Sequence, residues 1–390
     1  MEQRGGKPAA PKISEALLAD VGARMFTALR RAEQRIWAEQ YVGALLAAPG
    51  RKTLRNVATQ IDGGASRQSV HHFISASPWE WLPIRQALAG YTRRTLNPQA
   101  WVIRPTTIPK VGPHSIGVDQ RYVPHLGQVV NAQQALGSWM VSATAAVPVD
   151  WHLLLPPRWA DASLRRRANV PDEMVPQTLD DGVYEAALSA SGLTAELTGP
   201  VVVDVAGVDA VTLARRLAAA GLTFLVRVDA QAQLRVDRAL LPRYSAAAHT
   251  AAQLVHSSSR LRRQVTSPEG TPTALVTIPV LASPEGAGAR GRRLLLLGEW
   301  PAGGQGECEM WLTNASAEAW RPLLRLVRLP RTVQEFTGVA ERVGVRDFAG
   351  RSFLGWHHHI TLASVAHLVA VVQESGIELP WLSRKLATGV

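Results

Sequence analysis

Three runs of residues suggest chemistry at first sight: the consecutive histidines His357, His358 and His359, the consecutive arginines Arg165, Arg166 and Arg167, and a single cysteine, Cys308. The histidines invite a metal reading. Successive side chains point in different directions in a helix or a strand, so no more than two of the three could face one ion without a bend. A structural or DNA-facing role fits them better. The arginines, in SLRRRANVP, form either a phosphate-contacting patch or a solvated loop, and the charge of the chain supports both equally. Cys308 lies in the strand-like run ECEMWL and reads as a packing residue before a nucleophile. A lone cysteine allows neither an internal disulfide nor a multi-cysteine zinc site, which agrees with a reducing compartment. Asp150, in VPVDW, reads as a turn and cap residue.

The elements that must position these residues follow from the patterning. The formal charge is +11 at pH 7 and 46% of the residues are hydrophobic, so the chain can bury a real core and carries a surplus that favours polyanions. No basic amphipathic helix stands out, which favours nucleic acid over a membrane face. MEQRGGKPAAPK lacks the apolar segment of a signal peptide, and TLASVAHLVAVV is too short to span a bilayer, so a cytoplasmic protein is expected. Residues 1–12, polar and rich in Gly and Pro, read as a disordered leader. Leu17, Val21, Met25, Leu29 and Ile36 recur at near-helical spacing and predict one helical stretch from Ile13 to Leu46.

KTLRNVATQI, DGGAS and RQSVHHFISAS then read as helix, turn, helix, with Gly63 and Gly64 in the turn and Ser66 as a cap. This is either a DNA-reading motif presenting Arg55, Arg67, His71 and His72, or a small helical subdomain with solvated basic faces. From residue 101 the pattern changes. WVI is a strand ended by Arg104, leading to a turn with Lys110 and His114; further strands are expected at 128–143 and 151–156, with VPVD as the turn between them. PVVVDVAGVDAVTLARRLAAAGLTFLVRVDA reads as strand 201–205, helix 209–220 and strand 223–229, a crossover that implies parallel pairing. Residues 232–312 resemble an antiparallel insert with the flexible linker SPEGAGARGR, and helices follow at 316–343 and 359–374 with GRSFLGWHHH between them. There is no internal repeat. Most of the twelve tryptophans should pack the core, and one or two could wedge between bases.

IPKVGPHSIGV at 108–118, VPVDWHLLLPPRWADASLRRRANVP at 147–171 and FAGRSFLGWHHH at 348–359 together resemble the bacterial DDE transposases of the insertion-sequence 701 family, over about Tyr41 to Val371. The resemblance implies a ribonuclease H-like core whose three carboxylates hold two divalent metal ions and cut and join DNA. Two Mg²⁺ ions about 3.5 to 4 Å apart must clamp the attacking and leaving oxygens, and such hard ions need anionic oxygen ligands. The resemblance places the first acid at Arg104, the second at Asp204 and the third at Val333, with Arg331 matching the arginine that precedes the third acid and Ala340 replacing a lysine. Only Asp204 is retained, and the Gly-Tyr-Gly that tends to follow it is reduced to Ala206, Gly207 and Val208. Glu335 turns roughly 200° away from Val333 around a helix and Glu341 lies two turns along, about 12 Å, while Asp119, Asp209 and Asp347 could substitute only in a shifted register. Arg104 is therefore expected to sit where metal would sit and to pair with Asp204, so that losing one partner costs more than losing both.

The expected fold is an α/β ribonuclease H-like core with a helical N-terminal domain and a β-rich insertion: a leader at 1–12, the helical domain at 13–98, core at 99–230, insertion at 231–314, and a C-terminal helical part of the core at 315–390. The expected function is a DNA-binding, nuclease-inactive member of a transposase family, decayed or recruited to another task. One rival is an active transposase with displaced acids. The other is a repurposed core cleft that takes a small molecule or serves as a protein scaffold, for which a pocket lined by Arg104, Asp204, Arg331 and His359 would speak. No cofactor is expected, and Mg²⁺ enters only with displaced acids. DNA is the expected partner, with a second copy of the chain as a candidate and no membrane. Lys110, His114, Arg165, Arg166, Arg167, Arg351, His357, His358 and His359 are the candidate DNA contacts.

Overall fold

The β-branched run around Arg104 forms a single ten-residue strand, β1 (Ala100–Pro109), in a computed structural model that describes residues 14–61, 64–123, 127–193, 199–245, 247–266, 270, 272–281, 293–300 and 308–382. The leader at 1–12, Gly63 of the turn and the SPEGAGARGR linker lie outside the described residues. Arg104 is in the middle of β1, not at its end, because Thr106, Thr107 and Ile108 prolong the β-branched run and β3 (Gln128–Val141) pairs with all of it, antiparallel. The strand β5 (Val201–Val203) lies on the other side of β1, parallel, with Ile103 opposite Val203. A helix, α8 (Ala210–Ala219), then crosses to β6 (Phe224–Arg227), parallel to β5, as the crossover pattern requires.

Two further strands pair with β3 on its far side: β2 (Asp119–Val123) along its first half and β4 (Ala146–Leu153) along its second. The VPVD segment is therefore inside β4 and not a turn. The turn is Ser142–Ala145, where Ser142 Oγ accepts from Ala145 N at 3.1 Å. Val147 and Val149 favour the strand, and Pro148 sits at a register shift, a bulge position that tolerates its missing N–H.

Beyond β6 the same sheet continues through the insert. The strand β12 (Glu309–Thr313) pairs antiparallel with β6, then come β11 (Arg293–Trp300) and β10 (Pro272–Leu281), whose far edge carries β7 (Gln233–Val236) and β9 (Arg263–Thr266), with β8 (His249–Thr250) beside β7. The chain is thus a mixed α/β protein built on one twelve-stranded sheet among the described residues. The strand order and directions around β1 are consistent with a ribonuclease H-like core.

The helical segments before β1 are α1 (Glu15–Met25), α2 (Ala32–Ala47), α3 (Leu54–Ala58), α4 (Arg67–Ser75) and α5 (Leu82–Leu96). The single helix expected over 13–46 is broken. Leu29 leaves helical backbone (φ −76°, ψ 120°) to bury its side chain, and Gln34 Oε1 accepts from Arg31 N at 3.4 Å at the start of α2. After β4 come α6 (Ala162–Ala168) and α7 (Leu179–Gly192), and after the insert α10 (Trp320–Arg342) and α11 (Phe353–Glu374). Between β8 and β9 lies the short α9 (Ala251–Ser257).

GRSFLGWHHH is not the connection expected between the last helices. Ser352 caps α11, its Oγ accepting from Gly355 N at 3.2 Å, so the three histidines occupy the second turn of that helix. Nearly every residue from Phe353 to Val372 is buried, which the all-round apolar composition demands of a helix that packs on β4 and against α2 and α4. No described helix is long and apolar enough to cross a membrane.

His357, His358 and His359 are consequently buried and do not face DNA. Tyr41 Oη lies 2.8 Å from His359 Nδ1, and His359 Nε2 lies 2.7 Å from Gly344 O. His358 is stacked on Trp79 with both ring nitrogens beside carbonyl oxygens, of Ile74 at 2.9 Å and Trp79 at 2.7 Å. Burial pushes His358 and His359 down to about 4 and His367 down to about 3, against the pull of those carbonyl acceptors and of Phe336 O. Between these values and the unfolded range near 6.5, the unfolded chain binds protons that the native chain does not, so stability falls as pH is lowered from about 6.5 toward 4. Urea denaturation at a series of pH values is expected to show a slope on the order of 1.4 kcal/mol per pH unit per histidine across that window. A flat profile would mean that these rings are solvated.

Candidate functional site

Because β1 and β5 run parallel with Ile103 opposite Val203, the next residues, Arg104 and Asp204, emerge side by side. Arg104 Nε lies 3.0 Å from Asp204 Oδ2, and Arg104 Nη1 donates to Pro330 O of α10 at 3.2 Å. The ion pair expected between these two residues is present in this geometry. Sequence reasoning missed its third member. Arg227, at the end of β6, donates from Nη1 to Asp204 Oδ1 at 2.7 Å, so each carboxylate oxygen has a guanidinium. Burial opposes charge on Arg227, but the hydrogen bond and charge of Asp204, joined by the nearby Glu309 carboxylate, together outweigh it and raise the pKa of Arg227. Since Arg227 still compensates Asp204 when Arg104 is removed, the Arg104 side chain is less critical to the carboxylate than a two-membered pair would make it. The signal for Arg227 was in the crossover itself: a residue ending the strand next to β5 must lie near the residue ending β5.

Val333 lies one turn after Pro330 on α10, buried, and shares a cavity of about 440 Å³ with Arg104. Arg104 thus touches Asp204 on one side and shares the cavity with Val333 on the other, and the three positions expected to carry acids supply one carboxylate, one guanidinium and one isopropyl group. The cavity floor includes Trp139 and Trp151. Gly137, opposite Arg104 on β3, leaves room for them, since a Cβ there would meet Trp139 Nε1 at 2.8 Å. Asp204, Arg331 and His359 are not among its lining residues, so the pocket expected for a repurposed cleft does not form from those four. Arg331 instead pairs with Glu309 at 3.3 Å on the surface, and His359 is enclosed.

The donor set does not suit a pair of divalent ions. Asp204 is occupied by two cations, and among the described residues no group of three or more His, Cys, Asp or Glu side chains is placed to hold a metal ion. The acids that might have substituted have other partners, although Glu341 lines the cavity beside Arg104. Asp209 caps α8 through Val211 N and Thr212 N, Asp347 accepts from Lys52 N at 2.8 Å, and Glu341 pairs with Arg346 at 2.5 Å. Glu335 is exposed.

The candidate DNA contacts divide by exposure. His114, Arg166, Arg167 and Arg351 are exposed. Arg165 is partly buried and braces a loop, donating to Met174 O at 2.6 Å and Pro171 O at 2.8 Å. Lys110 is also partly buried, its ammonium 2.5 Å from Phe348 O, and burial with the nearby Arg51 lowers it to about 8. On α4, Ser66 Oγ accepts from Ser69 N at 3.0 Å, and Val70, Phe73 and Ile74 are buried while Arg67, Gln68, His71 and His72 form an exposed face. Cys308 is half-buried, and burial pushes its thiol up to about 12, so it is not a thiolate nucleophile.

Asp150 is not a turn residue. It is buried in β4, where Oδ1 accepts from Arg85 Nη1 at 2.6 Å and Oδ2 accepts from Ser189 Oγ at 2.7 Å. Arg85 of α5 is also buried and donates to Trp151 O, Thr361 Oγ1 and His357 Nδ1 at 3.1, 2.9 and 3.1 Å. This network joins α5, β4, α7 and α11.

A family model described as DDE superfamily endonuclease matches residues 24–270. No curated protein matches the chain.

Proposed function

The chain belongs to the DDE superfamily endonucleases, and on that premise we infer that it is a transposase-type DNA-binding protein whose core cleft holds an ion pair in place of a two-metal centre and does not cut DNA. One observation carries this reading: the single acid at the retained position, Asp204, is held at 3.0 and 2.7 Å by Arg104 and Arg227. A metal would have to displace both cations and would still lack the other two anionic ligands. Three long motifs and the strand order around β1 support the narrower placement, a ribonuclease H-like core of the insertion-sequence 701 type. Phosphate contact needs no metal, so binding can persist without cleavage. The net charge of +11 and the exposed face of α4 support that binding.

The test uses the full chain with labelled duplex and supercoiled plasmid, in Mg²⁺ and in Mn²⁺. Duplex binding that weakens steeply with salt, and plasmid that stays supercoiled, are the expected results. Metal-dependent nicking or strand transfer would instead establish displaced acids. Absence of duplex binding at low salt would overturn the DNA reading and leave the cavity beside Arg104 as a small-molecule site.

A further inference from the structure

Two segments distant in sequence bring arginines to one groove away from the core cleft. The edge strand β9 supplies Arg263, and the first two turns of α10 supply Arg321 and Arg325. A groove of about 580 Å³ lies between them, with Trp320 and the buried Leu324 in its wall. All three arginines are exposed, and among the described residues no Asp or Glu lines the groove and none of the three forms a salt bridge. Several other arginines are matched to carboxylates, as at Arg24, Arg216, Arg293, Arg328 and Arg342.

The placement of these cations costs free energy unless an anion joins them. Three guanidiniums around one groove repel each other. Arg321 also sits at the N-terminal end of α10, where the backbone dipole disfavours a cation, and no acidic residue occupies that first turn. A phosphate in the groove reverses both terms, because it attracts all three arginines and the helix end together. Guanidinium forks match phosphate oxygens in pairs, and the neighbouring indole gives Arg321 a face to rest on, 5.2 Å from the ring centroid. Arg325 and Val333 are eight residues apart on the same helix, about 12 Å along its axis, so a backbone held in the groove lies within reach of the cavity that Arg104 lines.

We propose that this groove is a docking site for the phosphate backbone of duplex DNA, formed by the insert and the start of α10. It rests on the reading that the chain binds DNA. Its residues differ from the candidate contacts in the sequence motifs and from the exposed face of α4.

The experiment is fluorescence anisotropy with a labelled random-sequence duplex and the full chain, at salt concentrations from about 50 to about 200 mM. Each phosphate contact contributes about −0.9 to the slope of log affinity against log salt, so R263Q/R321Q/R325Q is expected to flatten the slope by about 2.7. Over that salt range the unaltered chain should then lose about 40-fold more affinity than the variant. A control with the same loss of charge at exposed positions elsewhere, R35Q/R215Q/R238Q, is expected to change the slope by less than about 1. Equal flattening in both variants would mean diffuse charge and would overturn the groove. So would an unchanged slope in the groove variant, as expected if these arginines only guard an edge strand from pairing. If the unaltered chain binds no duplex at all, the DNA reading falls and this site falls with it, a result distinct from either of those.

Discussion

Replacing Arg85 by alanine is expected to destabilise the protein by about 3 to 5 kcal/mol, measured by urea denaturation at pH 7. The side chains of Arg85 and Asp150 are only 3% and 7% exposed, so the variant leaves a buried carboxylate with a hydroxyl donor, Ser189, but no cation. It also strips donors from Trp151 O, Thr361 Oγ1 and His357 Nδ1. The loss arises from the charge left behind, not from the net worth of the pair. The double variant Arg85→Met/Asp150→Leu should therefore recover much of it, since apolar groups of similar volume need no compensation. If the double variant is no more stable than Arg85→Ala, the charge account is wrong and packing across α5, β4 and α11 dominates.

The second large effect is a gain of metal binding. The triple variant R104D/V333E/R227Q supplies one carboxylate beside Asp204 and one in the cavity that Arg104 lines, and removes both cations that hold Asp204. Without metal the variant should be less stable than the parent, because Asp204 then faces a second carboxylate and Val333 is buried. With Mn²⁺ at about 100 times its dissociation constant, linkage restores about 2.7 kcal/mol, read as a rise in melting temperature. The parent chain is expected to show no such rise. Equal stabilisation of parent and variant by Mn²⁺ would mean that the ion binds elsewhere, and the account of the cleft would fail.

Local pattern alone carried much of this protein's architecture. The crossover from β5 through α8 to β6 was legible because β-branched runs and a 3.6-residue period are properties of short segments. The residue types at Arg104 and Val333 depart from the acids that the resemblance leads one to expect there. The meeting of Arg104 with Asp204 followed once β1 and β5 were taken as neighbours. Segments with two plausible local states were decided by tertiary packing. FLGWHHH could serve as a connection or as a helix, and the burial available between β4 and the N-terminal helices makes it the start of α11. VPVD looked like a turn because Pro and Asp favour turns, but β3 offered a partner and Arg85, sixty-five residues earlier, offered Asp150 a counter-charge. Arg85 went unread because its partner lies far away in sequence, and the arginines of the groove because two distant segments form it. A charge finds such a partner only through the fold, and no spacing along the chain records it.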